Sequence, residues 1–297
     1  MNDTDWAFSR YENARPRLPR SVAFGAGQQV ANLGELAADF DVFLFDAFGV
    51  LNVGDTPIKG APARVAALQA LGKRTMVLTN GASFHASVAL SKYARFGYDF
   101  LPENVISSRD VLASHLATLP AQRWAAMAPE GAVSDDLGIE MDVLEDDPRI
   151  YDRAEGFLLV GSQIWTEDRQ TLLEETLQKN PRPVLVGNPD LVAPSEQGPV
   201  LQPGLYAHRL ADKTGIEPLF FGKPFGGIFA EAQRRFGAVL PARVLMIGDT
   251  LHTDVLGGAA AGFKTALITD HGMFKGAEVR DYIEKSGIAP DYIMPTI

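Results

Sequence analysis

Cysteine is absent from the 297-residue chain. That excludes a disulfide framework, thiolate metal ligation and a cysteine nucleophile. No apolar run reaches the roughly eighteen residues of a membrane span, so no membrane partner is expected. The opening stretch MNDTDWAFSRYENARPRLPR lacks the apolar core of a secretory signal. Basic residues are in the minority, 27 Lys and Arg against 37 Asp and Glu, for a net charge of −10. Nucleic-acid binding rests on a basic footprint, so nucleic acid is not an expected partner either. A small anionic ligand stays compatible, because a few local cations or one metal ion reverse the field inside a cleft. The five histidines show no zinc-protease spacing. There is no G-x-S-x-G elbow and no fixed-period repeat. Gly25-Ala26-Gly27 is too short and too early for a dinucleotide fingerprint. These absences together fit a cytoplasmic protein.

What remains is an ordinary globular composition, 46% apolar and 22% charged, in a chain long enough for one large domain or two of usual size. About forty residues of polar, irregular lead-in with short helical pieces come first. Short apolar runs then alternate with amphipathic stretches. Val42–Phe45 runs into Asp46, and Thr75–Leu78 into Thr79-Asn80-Gly81. Leu219–Phe221 runs into Gly222-Lys223, and Val244–Ile247 into Gly248-Asp249. Val105–Ser107 and Thr265–Ile268 are further strands. Ala61–Leu71 has helical spacing, with Val65, Leu68 and Leu71 on one face and Gly72 as its stop. A second helix is expected over Phe84–Phe96, closed by Gly97. Fully apolar strands alternating with helices predict an α/β fold around a doubly wound parallel sheet.

Lys223 comes far later than a crossover from Thr79 requires. The stretch between carries strand and helix signals of its own at Trp124–Met127, Phe157–Val160, Thr166–Lys179 and Val184–Gly187. The expected organisation is a core of residues 1–118 and 215–297, with a smaller α/β domain, 119–214, inserted into it.

In open α/β sheets ligands bind beyond the carboxyl ends of the strands. Asp46, Thr79, Lys223 and Asp249 each follow a different candidate strand there. A strand-end aspartate can attack phosphorus or carbon as a covalent nucleophile, although it can equally cap a turn. Thr79-Asn80-Gly81 offers a hydroxyl, an amide and backbone N–H groups to phosphate oxygens, although it is also a common turn sequence. A fixed Lys223 ammonium would neutralise both the attacking carboxylate and the transferred group. Asp249 and Asp254 on one loop can contribute to an oxygen-only Mg²⁺ shell, or merely cap the following helix.

In this order the elements resemble the haloacid dehalogenase superfamily, and more closely its class IIA, the NagD-like phosphatases. The likeness runs from about Asp41 to Asp270. It includes Ile58-Lys59-Gly60-Ala61, Val105-Ile106-Ser107-Ser108 and, within the insert, Gly187-Asn188-Pro189-Asp190. The resemblance implies a Rossmann-like core and a phosphorylated small-molecule substrate. It implies Asp46 as nucleophile and Mg²⁺ ligand, with the Phe48 carbonyl and Asp249 as further ligands and Asp254 supporting that shell. Thr79, Asn80, Gly81, Lys223 and Asn188 would hold the substrate and its phosphoryl oxygens. The insert would be a cap that closes over the site, and such caps often pair into homodimers.

One position departs from the pattern. Phosphatases of the family carry a second aspartate two residues after the nucleophile, as acid and base, and here Phe48 stands in that place. General acid–base help is typically worth ~10²–10⁴ in rate, so its loss calls for a substitute, for which His252, His271 and Asp55 are the candidates. Three readings follow, in order: a phosphate-ester hydrolase, a feeble phospho-ligand binder, and a metal-free carbon-centred hydrolase of the haloacid type. The acidic pair Asp249 and Asp254 weighs against the last.

Overall fold

The computed structural model describes residues 3–20, 23–132, 134–195 and 198–297. Seven strands form one parallel sheet in the order Gln28–Gln29, Tyr292–Met294, Lys264–Ile268, Val244–Gly248, Val42–Phe45, Arg74–Thr79, Val105–Ser107. Every neighbouring pair in it is parallel. The strand Val42–Phe45 explains the helices on both faces. Successive residues of a strand point to opposite sides, so Phe43 and Phe45 join a cluster with Val65, Leu68 and Tyr93. Val42 and Leu44 join another with Ile228, Phe229 and Ala232. Each such buried side chain stabilises the fold by roughly 1.5–3 kcal/mol, which is why these runs carry no polar residue.

The helix after the first motif covers Ala61–Ala70, with Pro62 in its first turn and Val65 and Leu68 buried. Leu71, expected on the same face, is 64% exposed. The chain leaves the helical path at Leu71 and Gly72 follows at φ 72, so the side chain turns outward before it reaches the sheet. The next helix is Ala86–Arg95.

A second parallel sheet has five strands in the order Leu219–Phe220, Val184–Val186, Gly156–Leu159, Trp124–Met127, Met141–Val143. It has its own apolar cluster, in which Phe157, Leu159 and Val186 meet Leu173, Leu177 and Leu210 of the helices Glu167–Lys179 and Pro203–Thr214. Leu219–Phe220 corrects the expectation that this run belongs to the main sheet. It pairs with Val184–Val186 at the edge of the second sheet, where Leu219 is 48% exposed. Two apolar residues before a glycine look the same whichever sheet receives them. Met141–Val143, at the other edge and only partly buried, had no distinct signal.

The lead-in is more ordered than its polarity implied. Asp3 caps a helix over Thr4–Ala14, accepting from Trp6 N at 2.9 Å. Its Ala7, Phe8, Tyr11 and Ala14 are buried. Gln28–Gln29 extends the main sheet beside Tyr292–Ile293.

Candidate active site

The parallel register sets the site. Phe45 lies opposite Ile247, so the next residues of these two strands, Asp46 and then Gly248-Asp249, leave the sheet side by side. Asp46, Asp249 and Asp254 are brought together so that one carboxylate oxygen of each lies within 4.8 Å of the others. The Lys223 ammonium sits among them, 2.6 Å from Asp46 Oδ1 and 2.7 Å from Asp254 Oδ1. Burial alone would lower the Lys223 pKa, but Asp254, Asp46 and Asp190 outweigh it and raise it. Burial pushes the Asp46 carboxyl up, with Lys223 pulling the other way. Asp249 is pushed well above the usual carboxylate range, first by burial and then by the charges of Asp46 and Asp254. Three buried carboxylates against one ammonium form a donor set of oxygen atoms with excess negative charge. That is the chemistry a hard divalent cation relieves.

Local backbone makes this crowding possible. Asp249 lies between the main chains of Gly49 and Gly272; a Cβ on Gly49 would meet its Oδ2 at 2.7 Å, and one on Gly272 at 2.0 Å. Gly49 also has φ 78, a left-handed conformation that other residues adopt at a cost. Asp249 Oδ2 accepts from Met273 N at 2.9 Å, and its Oδ1 from Thr250 Oγ1 at 3.0 Å. Leu251–Val255 is a π-helical turn, a feature frequent at functional sites. It turns Asp254 back so that Oδ1 meets Lys223 while Oδ2 accepts from Thr250 N at 3.2 Å. In the loop after Asp46, Gly49 N donates to Asn52 O, and Leu51 N and Asn52 N donate to Ala47 O. None of these bonds uses the Phe48 carbonyl, the ligand atom expected there.

Thr79 lines the same cavity as Asp46 and Asp249, which holds about 280 Å³. Its Oγ1 accepts from Gly81 N at 3.1 Å. Gly81 stands five residues before the helix Ala86–Arg95, which was expected from Phe84, so its N–H is not one of that helix's free first-turn amides. Asn80 is engaged elsewhere. Its Nδ2 donates to Lys223 O at 2.9 Å and to Asp190 Oδ1 at 2.8 Å, and its Oδ1 accepts from Lys223 N at 2.6 Å. The amide therefore fixes the Lys223 backbone and ties it to the loop after Val184–Val186. Asn188 likewise holds the insert loop, donating to Gln202 Oε1 at 3.0 Å and accepting from Asp190 N at 3.0 Å. It lines a second cavity of about 350 Å³, which shares Phe48, Thr79 and Asp190 with the first. Asp190, present in the quoted insert motif but given no role there, stands on the wall of both. It keeps partial access to them, yet its depth pushes its pKa up to about 7, with Lys223 countering and Asp46 reinforcing. An isolated aspartate in a loop has no signal that it reaches a site at the strand ends of another sheet.

Comparisons with known proteins show the family of this fold. The model for haloacid dehalogenase-like hydrolases matches residues 43–137, and a HAD-hydrolase-like model matches 220–297. A glycerol-3-phosphate phosphatase of Gallus gallus is 32% identical over 285 residues, spanning 88% of this chain and 90% of its own. The chain belongs to the haloacid dehalogenase-like hydrolases. The Homo sapiens glycerol-3-phosphate phosphatase is 28% identical over 302 residues, with 88% and 90% covered. Among solved structures, a possible sugar phosphatase of this superfamily from Cytophaga hutchinsonii superposes with a TM-score of 0.78 at 24% identity, covering 91% of this chain and 98% of that one. A p-nitrophenyl phosphatase from Archaeoglobus fulgidus gives 0.71 at 25%, covering 87% and 97%. These relatives are phosphatases of the NagD-like class.

Phe48, where the resemblance leads one to expect an aspartate, has a definite setting. The ring packs against the main core cluster, and the Lys92 ammonium lies 5.0 Å from its centroid. Of the three candidate substitutes, His252 is wholly buried behind the site, with Nε2 2.5 Å from Glu12 Oε1 and its ring stacked on Tyr11. Asp55 is an exposed partner of Lys92 at 3.1 Å, on the second cavity. Only His271 lines the cavity that holds Asp46 and Asp249. Its pKa is lowered by partial burial, with Asp270 opposing, so its neutral form is favoured.

Proposed function

We propose that the chain is a Mg²⁺-dependent phosphatase of small phosphorylated metabolites that works through an aspartyl-phosphate on Asp46. The observation that carries this is the Asp46–Lys223–Asp254 arrangement with Asp249 beside it, at the ends of adjacent parallel strands. Relatives that act on glycerol-3-phosphate and phosphoglycolate by name support the substrate class. An Asp46 oxygen would attack phosphorus while the bond from phosphorus to the leaving oxygen breaks. Water would then hydrolyse the acyl phosphate and restore the carboxylate. Lys223, held charged by its carboxylates, would screen the approach of Asp46 to an anionic phosphoryl group. Thr79 Oγ1 and Lys223 would orient the phosphoryl oxygens, and Asn80 would act by positioning Lys223. Asp46, Asp249 and the Phe48 carbonyl would hold the cation, with Asp254 behind them. When bound, the cation supplies neutralisation of charge shared between the carboxylates and the phosphoryl oxygens.

We read the second sheet and its helices as the cap, extended to Phe220 because Leu219–Phe220 pairs there. Residues 138–219, which neither family model covers, fall within it. The test is a screen of phosphorylated metabolites with Mg²⁺ beside haloacids without it, joined to calorimetry of Asp249→Asn. We expect phosphate release only with metal. We also expect a fall in Mg²⁺ affinity beyond the roughly 10–100-fold of losing an outer partner. Halide release without metal, or unchanged Mg²⁺ affinity in a folded Asp249→Asn, refutes the assignment.

A further inference from the structure

The leaving oxygen of a phosphate ester needs a proton, and the Phe48 ring cannot give one. Asp190 stands where a proton is wanted. It lines the cavity that holds Asp46, Thr79 and Asp249, and it lines the second cavity, as Phe48 and Thr79 do. Its carboxyl therefore borders the same two spaces as the residue at position 48.

The backbone around it is pinned. Asp190 N donates to Asn188 Oδ1 at 3.0 Å, Gly204 N to Asp190 O at 3.0 Å, and Leu191 N to Tyr11 Oη at 3.1 Å. Leu191 itself is buried with Tyr11 and Ala14. Pro189 packs on the turn that carries the lysine, where a Cβ on Gly222 would meet its Cδ at 2.7 Å. The side chain is held at one oxygen only. Oδ1 accepts from Asn80 Nδ2 at 2.8 Å, and the same nitrogen donates to Lys223 O. Among the described residues, Oδ2 meets no hydrogen-bond donor. A carboxyl fixed at one oxygen and open at the other can carry a proton into the cavity. Burial raises its pKa to about 7, with Lys223 countering and Asp46 adding to it, and a general acid works best near the operating pH. His271, the candidate that reaches the first cavity, is absent from the second. Its lowered pKa favours the neutral imidazole, a base rather than an acid.

We infer that Asp190 is the proton donor and acceptor that replaces the aspartate missing at position 48. In the first step an Asp46 oxygen bonds to phosphorus and the bond to the leaving oxygen breaks. That oxygen takes the Asp190 proton and departs as an alcohol. In the second step water bonds to phosphorus and gives a proton to the Asp190 carboxylate, while the bond from phosphorus to Asp46 breaks. This rests on the phosphatase reading above and supplies its acid.

The test compares two esters of similar size, phenyl phosphate and 4-nitrophenyl phosphate, on the full chain at saturating Mg²⁺. Nitrophenolate leaves without protonation, whereas the phenol oxygen needs it. Asp190→Asn keeps an acceptor for Asn80 and removes the acidic proton. Its kcat/KM should fall by about 10²–10⁴-fold on phenyl phosphate and by less than about 10-fold on the nitrophenyl ester. Nitrophenol should then appear as a burst of about one per active site, because the phosphorylated Asp46 waits for a base. His271→Gln should affect both esters alike. Should Asp190→Asn not fold, Asp190→Ser is read by the same ratio. Equal losses on the two esters in the folded variant would mean that Asp190 acts only through Asn80 and Lys223, and overturn the assignment. So would a loss confined to phenyl phosphate in His271→Gln. A wild type that cleaves neither ester overturns the phosphatase reading itself.

Discussion

Lys223→Met takes the ammonium out of the carboxylate cluster and leaves an apolar stem of similar length. The lysine is 1% exposed, and its Nζ lies 2.6 Å from Asp46 and 2.7 Å from Asp254. Without it, three carboxylates with oxygens within 4.8 Å of one another face each other in a buried place. Removing one partner of a buried pair costs about 3–5 kcal/mol, because the charge left behind is uncompensated. Part of that is recovered by protonation, since burial already raises the Asp46 and Asp249 pKa values. The sign follows: the variant's folded state holds extra protons, so its deficit is small in acid and grows as pH rises to 7. Urea unfolding at pH 7 in a chelator should therefore show a loss of about 3 kcal/mol, narrowing by pH 5. A divalent cation at the same carboxylates should narrow it too, because the variant no longer sets an ammonium against the ion. A ligand at 100 times its Kd contributes about 2.7 kcal/mol, and the variant should gain more from Mg²⁺ than the wild type does. A loss below about 1 kcal/mol at pH 7 in chelator, or a gap unchanged by Mg²⁺, would refute the reasoning that this cluster is held by charge.

Phe48→Asp should raise turnover of ordinary phosphate esters by about 10–10³-fold if the missing acid limits the reaction. Phosphate release at saturating Mg²⁺ is the measurement, and a fall from an already fast wild type means another group is the acid. His208 offers a pH test remote from the chemistry. Buried and stacked on Phe220 with ring centres 5.0 Å apart, it is held neutral, its pKa lowered from 6.5 to about 4 mainly by burial. The unfolded chain binds that proton first, so the contribution is complete above pH 6.5 and is lost as pH falls toward 4. At about 1.4 kcal/mol per pH unit this is up to roughly 3 kcal/mol. Thermal unfolding of His208→Gln should show a shallower decline across that window, and equal slopes would refute it.

Much of this protein was legible along the chain because the information is local. Apolar runs such as Val42–Phe45 and Val244–Gly248 announce strands buried on both faces, and a polar residue just beyond each announces the site. The spacing from Asp249 to Asp254 needs only one loop to bring both to one place. Partner choice is not local. Leu219–Phe220 reads as a core strand, but its hydrogen bonds go to Val184–Val186. Periodicity reports which side chains alternate and never which sheet edge is vacant. Asn80 looked like a phosphate ligand until its amide was found on Lys223 and Asp190, atoms far away in sequence. The lead-in looked irregular because its buried face, Ala7, Phe8, Tyr11 and Ala14, is broken by polar neighbours. It is the main sheet's flank and the insert, both hundreds of residues away or nearly so, that give that face something to pack against. The sequence alone settled the family, through motifs each a few residues long. Only tertiary structure decided which groups surround them, since desolvation, charge clustering and pocket size depend on what folding brings near.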